Sequence, residues 1–594
     1  MQLNPDQQRV VDTDDHCLVV ACPGSGKTRV ITTKIGALLK RHEKARICAV
    51  TFTRDAAGEL SHRVTQEIGE PLFKSACRIG TFHSLAIRQL RNHNKLSKVA
   101  TPYEQVTFLR RAIALGEPGM EYEEATAIIE KAKGALGKAP EQDHPVYLAY
   151  AKLLASHNVC DLYDVIRDSV KMMKTGEIRA YPVKFMLVDE FQDTDNIQLE
   201  WVLEHARAGS NITVVGDDDQ SIYGWRGALG YGGMQSFMDA TGAERITLGV
   251  NYRCYSEVLS SADRLIQHNT ARIDKALVAG RGPGGSVKAV RAAGRDDEAQ
   301  MVAEAIQADA LPLKNNNPLF RFTVPTGSWA VLARNRRLLD PIEEELQARG
   351  IQYYRPPKES FWSRAPQSLL LSLLSALDGG NTGGIDHALN HGLMMKVGRS
   401  KATEAIKALH EQLHGRFDSL LEGTPLSTEK MMADEGAFIL DFCSRIKAWR
   451  SQILEGRFNF AIRAVASWFA GLEDGEGQKE RIVSAGNTLC KLNGTISMRV
   501  NAITSVSDSK ERPQGVQLQT MHGSKGLEFD KVWIVGTEST TCPSPKSPDH
   551  EEERRLMYVA MTRAKNHLLM SSVMAEEPSP FVLESGHFPN ASPP

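Results

Sequence analysis

Residues 21–28 read ACPGSGKT and fit the x-x-x-x-G-K-[ST] core of a phosphate-binding loop, with Ala21 where glycine often stands. Gly24 and Gly26 would let successive backbone N–H groups turn inward on phosphate oxygens, and a helix opening at Lys27 would add its N-terminal dipole. Lys27 could then reach the β- and γ-phosphates, and the Thr28 hydroxyl could bind Mg2+. A second stretch, FMLVDEFQDTD over 185–195, ends an apolar run in two adjacent acids. Asp189 is placed to hold Mg2+ through water, and Glu190 to polarise an attacking water as a general base. Two acids that merely cap a strand in solvent are common, but beside a phosphate loop they gain a task. The pair points to ATP or GTP. A small-molecule kinase could share both elements, yet it would need neither the later motifs nor 594 residues.

Positioning these groups requires strands that end in loops. HCLVVA leads into the glycine-rich loop, and KTRVITTKIGALLKR follows with helical spacing. RICAVTF, FMLVDE and NITVVGD are further strand candidates. The alternation predicts an α/β fold with parallel sheets flanked by helices. Residues near 100–180 are helical by period, and AGRGPGGS at 279–286 marks a linker. VKAVRAA and SWAVLARN restart the alternation, 368–500 is mostly helical, and strands resume at GVQLQTMHG and KVWIVGT. The tail SGHFPNASPP is expected to be disordered.

Composition narrows the partners. Lys plus Arg is 71 and Asp plus Glu is 72, so a polyanion site must be a local patch, not a coat. No apolar run approaches the roughly 20 residues that span a bilayer, so no membrane partner is expected. The opening MQLNPDQQRVV has no basic segment followed by an apolar core, and no secretory signal is expected. Nine scattered cysteines form no C-x-x-C pair, which favours a reducing compartment over a metal–thiolate site. The expectation is a cytoplasmic protein.

VVGDDDQSIYGWRGA at 214–228 resembles motif III of the UvrD/Rep/PcrA-type superfamily 1 DNA helicases. The same family's motifs follow in order: LNPDQ, TFTRDAAGEL, GTFHSLA, LVDEFQDTD, NYRC, QTMHGSKGLEFDKVWIVG and EEERRLMYVAMTRAKNHL. The resemblance covers nearly the whole chain. It implies two RecA-like P-loop motor domains, each with a mainly helical insertion. The first motor would comprise 1–93 and 181–280, with its insertion at 94–180. The second would comprise 281–378 and 511–580, with its insertion at 379–510, leaving 581–594 as the disordered tail.

The resemblance also implies roles, with ATP and Mg2+ as cofactors. Lys27, Glu190, Gln220, Arg253 and Arg563 would be catalytic, the two arginines as fingers on the γ-phosphate. Ala21, Cys22, Pro23, Gly24, Ser25, Gly26, Lys27, Thr28 and Arg29 would cradle the nucleotide. Gln7 would read the adenine edge, Arg29 and Tyr252 would sandwich its ring, and Glu528 would reach the ribose side. Thr28 and Asp189 would hold the metal. Phe52, Tyr223 and Trp225, beside Arg226, would stack on bases, since every base offers a π face. Thr53, Thr81, His83 and His522 would bond phosphates or sugars. Cys22 and Gly224 depart from the family's usual residues; Cys22 should point away from the phosphates, and Gly224 should thin one DNA contact. The implied activity is an ATP-dependent helicase moving 3′ to 5′ on single-stranded DNA and unwinding duplexes, in repair, replication or recombination. It would engage single strands and single/double-strand junctions as a monomer or weak dimer, with an unidentified loading partner. The alternative is a translocase that strips proteins from single strands and unwinds weakly, motivated by the short second insertion. A DNA-binding scaffold with a dead ATP site is disfavoured by the presence of every catalytic candidate.

Overall fold

A computed structural model describes residues 3–135, 137–313, 320–356, 361–380, 383–428, 431–505 and 514–588. The first unit, made of 1–287 with 543–567 and 580–587, is built on a six-stranded sheet. Its strands are β1 (Cys17–Ala21), β2 (Ile47–Thr51), β3 (Cys77–Thr81), β4 (Phe185–Val188), β5 (Asn211–Gly216) and β6 (Glu244–Leu248), in the spatial order β3-β2-β4-β5-β1-β6. All five pairings are parallel. Burial explains why β1, β2 and β4 read as continuous apolar runs: every residue in them is buried, because both faces are covered. Leu18, Val20, Val50 and Val188 pack into one cluster, while Cys17, Val19, Ala49 and Leu187 pack into the other.

Local caps fix where the helices begin. Asn4 and Gln7 form a reciprocal capping box on Pro5–Asp12, and Thr53 and Thr81 cap Arg54–Ile68 and Phe82–Asn92. Between β3 and β4 the chain forms the helices Pro102–Gly116, Tyr122–Gly134, Pro145–Ser156 and Leu162–Lys174. They enclose a small core of their own around Phe108, Ala112, Ile129 and Leu153.

The second unit contains most of a second six-stranded sheet. Its strands are β7 (Ser286–Ala292), β8 (Trp329–Ala333), β9 (Tyr353–Tyr354), β10 (Val516–Thr520), β11 (Phe529–Val535) and β12 (Ala564–Val573), ordered β7-β12-β11-β8-β10-β9. β8 runs parallel to β10 and β11, and β9 parallel to β10. Helices from Gln367–Leu377 through Ile496–Ser505 share one apolar cluster with this sheet.

Two features differ from the sequence expectation. The stretch 511–580 was expected to lie wholly in the second motor, but 543–567 belongs to the first unit. The reason is the helix His550–Met561, whose Leu556, Met557, Val559 and Met561 are buried, and which packs on Ser256–Ile266. The chain beyond 580 was expected to be disordered. Instead Pro580–Glu584 is helical, with Phe581 and Val582 fully buried and Arg554 bonded to Glu584 at 2.7 Å; residues 589–594 of that expected tail lie outside the described residues. The glycine-rich stretch 279–286 is pinned, because the Glu257 carboxylate accepts the N–H of Gly284 (3.1 Å) and Gly285 (2.9 Å). No helix among the described residues is long and apolar enough to cross a membrane.

Candidate nucleotide and DNA site

Parallel sheets present their loops at the carboxyl ends of the strands, where ligands of such folds bind. In the first unit, β1 delivers the phosphate loop, β4 delivers Asp189 and Glu190, and β5 delivers Asp217–Gln220. The registers Val20 with Gly216 and Val50 with Val188 bring those ends level.

The phosphate loop turns on Gly24 (φ +65°) and Gly26 (φ +80°). Its carbonyls are taken by neighbours: Gly24 accepts from Tyr252 N–H (2.9 Å), Pro23 from Asn251 Nδ2 (2.7 Å), and Ser25 from Gln7 Nε2 (2.9 Å). Gln7 is thus buried against the loop, and its Oε1 accepts from Asn4 N–H. Ala21 and Cys22 are fully buried. Burial pushes the Cys22 thiol up to about 12, so it is an inert packing residue. The buried Ser25 hydroxyl has no hydrogen-bond partner, a polar atom left for a ligand at the centre of the loop. Arg29 is half-buried on the first turn of Lys27–Arg41; Tyr252 is 46 % exposed, its hydroxyl accepting from Asn4 Nδ2 at 2.9 Å.

Lys27 Nζ donates to Glu190 Oε2 at 3.0 Å, and Gln192 Nε2 donates to the same oxygen at 2.6 Å. Burial alone would lower the Lys27 pKa, but the carboxylates of Glu190, Asp217 and Asp189 outweigh it and hold the ammonium above its usual value. Asp189 is pushed up to about 7 by burial and by Glu190. Glu190 itself sits at φ +49°, a left-handed conformation that costs a non-glycine residue free energy and is often found at working sites. The Thr28 hydroxyl and the Asp189 carboxylate are hard oxygen donors of the kind Mg2+ takes, and the unpartnered Ser25 hydroxyl of the loop suits a phosphate oxygen.

Arg253 follows Asn251, whose side-chain oxygen accepts the N–H of Arg253 (2.8 Å) and Cys254 (2.7 Å). Its Nη1 donates to the Thr562 carbonyl at 3.3 Å. Arg563 is buried, and its Nη2 donates to Gln220 Oε1 at 2.9 Å. Burial, with Arg253 beside it, lowers its pKa to about 9. Gln220 Nε2 donates in turn to Asp217 Oδ2 at 2.5 Å.

In the first unit, the residues expected to meet DNA follow the carboxyl ends of β2, β3 and β5. Phe52 and Tyr223 stand nearly parallel, 8° apart with centroids at 6.0 Å. Trp225 is 61 % exposed, and the Arg226 guanidinium lies 4.4 Å above its ring. Thr53 and Thr81 use their hydroxyl oxygens to cap helices, accepting from Ala56 and Ser84 N–H, which leaves each hydroxyl hydrogen to donate elsewhere. His83 is half-buried, and burial lowers its pKa. The loop is gripped by the helix His550–Met561: Glu552 Oε1 accepts from Gly224 N–H at 3.1 Å, and Arg555 Nε donates to the Ser221 carbonyl at 2.9 Å. A Cβ on Gly224 would fall 2.4 Å from Glu552 Oε2, so glycine makes room for that carboxylate. His522 and Glu528 belong to the second unit, on the loop between β10 and β11; Glu528 is exposed and His522 half-buried.

Sequence reasoning missed Asn251, Gln192 and the pair Arg272–Lys275. Lys275 pairs with Asp217, Asp218 and Asp219, which lie close enough together to share one cation, and Arg272 pairs with Asp219. Three consecutive acids at a strand end were the available signal.

Residues 3–231 match the sequence model of the UvrD/REP helicase N-terminal domain, and 246–407 with 437–575 match that of the UvrD-like helicase C-terminal domain. The chain belongs to the UvrD/Rep helicase family. DNA helicase II of Escherichia coli K12 is 30 % identical, over 96 % of this chain and 84 % of that protein. ATP-dependent DNA helicase Rep of Buchnera aphidicola is 28 % identical, over 96 % and 95 %. ATP-dependent DNA helicase PcrA of Staphylococcus epidermidis is 27 % identical, over 96 % and 83 %. The two-sheet α/β fold with parallel strands flanked by helices is that of the UvrD/Rep family's paired RecA-like domains.

Proposed function

We propose that this UvrD/Rep-family chain is an ATP-dependent DNA helicase that moves 3′ to 5′ on single-stranded DNA and unwinds duplexes in repair, replication or recombination. The observation that supports the reading is the Arg563–Gln220 bond, with Arg253 close against Gly24 of the phosphate loop and Lys27 paired with Glu190. The γ-phosphate would compete with Glu190 for Lys27. The released carboxylate could then take a proton from water as the water oxygen attacks the γ-phosphorus and the bond to the ADP oxygen breaks. Mg2+ on Thr28 and Asp189 would offset phosphate charge. Arg253 and Arg563 would stabilise charge on the departing groups, a contribution typically worth about 10³ to 10⁵ in rate. Gln7, Arg29 and Tyr252 surround the loop as the base-side contacts. Phe52, Tyr223 and Trp225 offer stacking faces that ignore base identity, as stepping requires.

A strand-displacement assay on duplexes with a 3′ or a 5′ tail tests direction and activity together. Unwinding from the 3′ tail alone is expected, and unwinding only from the 5′ tail would overturn the direction. Lys27→Ala should abolish DNA-stimulated ATP hydrolysis while single-strand binding persists; normal unwinding by that variant would sink the assignment. Rapid motion on single strands with little duplex opening would instead favour a protein-displacing translocase.

A further inference from the structure

The turn after β5 places Asp217, Asp218 and Asp219 almost entirely out of solvent, at 0, 3 and 1 % exposure. Three adjacent carboxylates could not stay ionised there without cations. Lys275 supplies one: its side chain is wholly buried and its ammonium lies 2.6, 2.8 and 2.9 Å from one oxygen of each. Arg272 adds a two-pronged contact to Asp219 at 2.8 and 3.0 Å, and Ile273 N–H donates to the second oxygen of Asp218 at 2.6 Å. Only Asp217 turns its remaining oxygen toward the phosphate site, where it accepts from Gln220 Nε2 at 2.5 Å.

That bond decides which way the Gln220 amide faces. With Nε2 on Asp217, Oε1 is presented to Arg563 at 2.9 Å. Flipped, the amide would set a donor against the guanidinium and an oxygen against a carboxylate. The relay therefore runs Lys275, Asp217, Gln220, Arg563, and its first member lies two carboxylate oxygens away from any group that would touch nucleotide.

We propose that Lys275 is a positioning residue of the ATPase cycle: by holding Asp217 it fixes the Gln220 amide toward Arg563, and so sets how fast bound ATP is cut, not how tightly it is held. The inference rests on the reading of the site as an ATPase. A role confined to stability would lower the melting temperature and leave the turnover of the folded fraction unchanged.

The test uses the full chain with saturating single-stranded DNA. Lys275→Arg keeps the charge but moves it. Asp217→Asn is isosteric and leaves one oxygen for Lys275, while its new Nδ2 would turn the Gln220 amide around. Both should lower kcat about tenfold or more, with KM and the affinity for a fluorescent ADP analogue within twofold of wild type. In a Gln220→Ala background neither should lower kcat further. A wild-type kcat for Asp217→Asn, or an equal drop in both backgrounds, would overturn the proposal; so would a drop accompanied by a matching loss of ADP affinity. If Lys275→Arg fails to fold, Asp217→Asn alone decides. If the wild-type chain shows no DNA-stimulated hydrolysis, the ATPase reading fails instead, and the two failures are told apart.

Discussion

Gly24 is the point where the phosphate loop meets Arg253 most closely, and Gly24→Ala tests that meeting. A Cβ added there would lie 2.5 Å from Arg253 Cβ, 3.2 Å from its nitrogen and 3.4 Å from its Cα. Carbon atoms rest comfortably at about 3.5–4.0 Å, so roughly 1 Å must be found. Neither side yields easily. The loop is held through the Gly24 and Pro23 carbonyls, and the Arg253 backbone is held by the Asn251 side chain. The left-handed backbone at φ +65° adds roughly 1–2 kcal/mol for any residue with a Cβ, and overpacking adds about 1–3 kcal/mol. The sum, about 2–5 kcal/mol, should weaken nucleotide binding at least tenfold. A fluorescent ADP titration measures it. Arg253→Gly deletes the opposing Cβ, so in that background Gly24→Ala should cost less by the overpacking share, a factor of roughly 5 to 150. Equal losses of affinity in the two backgrounds would refute the steric argument, and wild-type affinity for the single variant would refute the strain argument as well.

Three further outcomes are expected. Lys133→Met strands the buried carboxylates of Asp161 and Asp164, now 2.6 and 2.7 Å from the ammonium, and should destabilise the helices of 102–174 by about 3–5 kcal/mol; hydrogen exchange should rise there before it rises in β1, and unchanged exchange would count against the pairing. Trp225→Ala should shift stability by less than about 0.5 kcal/mol, because the ring is 61 % exposed, yet weaken oligothymidine binding by about 1–3 kcal/mol in anisotropy titrations; unchanged affinity would remove Trp225 from the DNA path. His205 is fully buried and burial lowers its pKa from 6.5 to about 4. Its neutral ring supports the fold above pH 6.5, and that support, about 3 kcal/mol, is lost as pH falls from 6.5 through about 4, because the unfolded chain takes up the proton first. His205→Phe should flatten the acid limb of a urea-midpoint profile, and an unaltered limb would contradict the assignment.

The layered fold was legible because buried parallel strands leave unbroken apolar runs, as in CLVVA and FMLV. The phosphate loop was legible because its chemistry is local: glycines, lysine and threonine within eight residues. What escaped is pairing across long separations. Lys275 meets Asp217 from 58 residues away, and Glu552 meets Gly224 N–H from 328 residues away. Nothing local to TARIDKAL marks its cations as partners of a distant acid cluster, and only the folded chain brings them there. The extent of the ordered chain was misread for a similar reason. A short polar ending suggested disorder, whereas Phe581 and Val582 find cover on the first unit.

The helix His550–Met561 has a further consequence. Glu552 near its start holds the backbone of Gly224, Arg555 one turn on holds Ser221, and Arg563 just past its end holds Gln220. From Glu552 to the helix end at Met561 the rise is about 14 Å. A single stiff rod therefore clasps one five-residue loop at both ends and in between. Any tug that a nucleotide exerts on the Arg563 guanidinium would reach the backbone beside the Trp225 indole through one helix and the Glu552 carboxylate. Signal and stroke would be the same displacement.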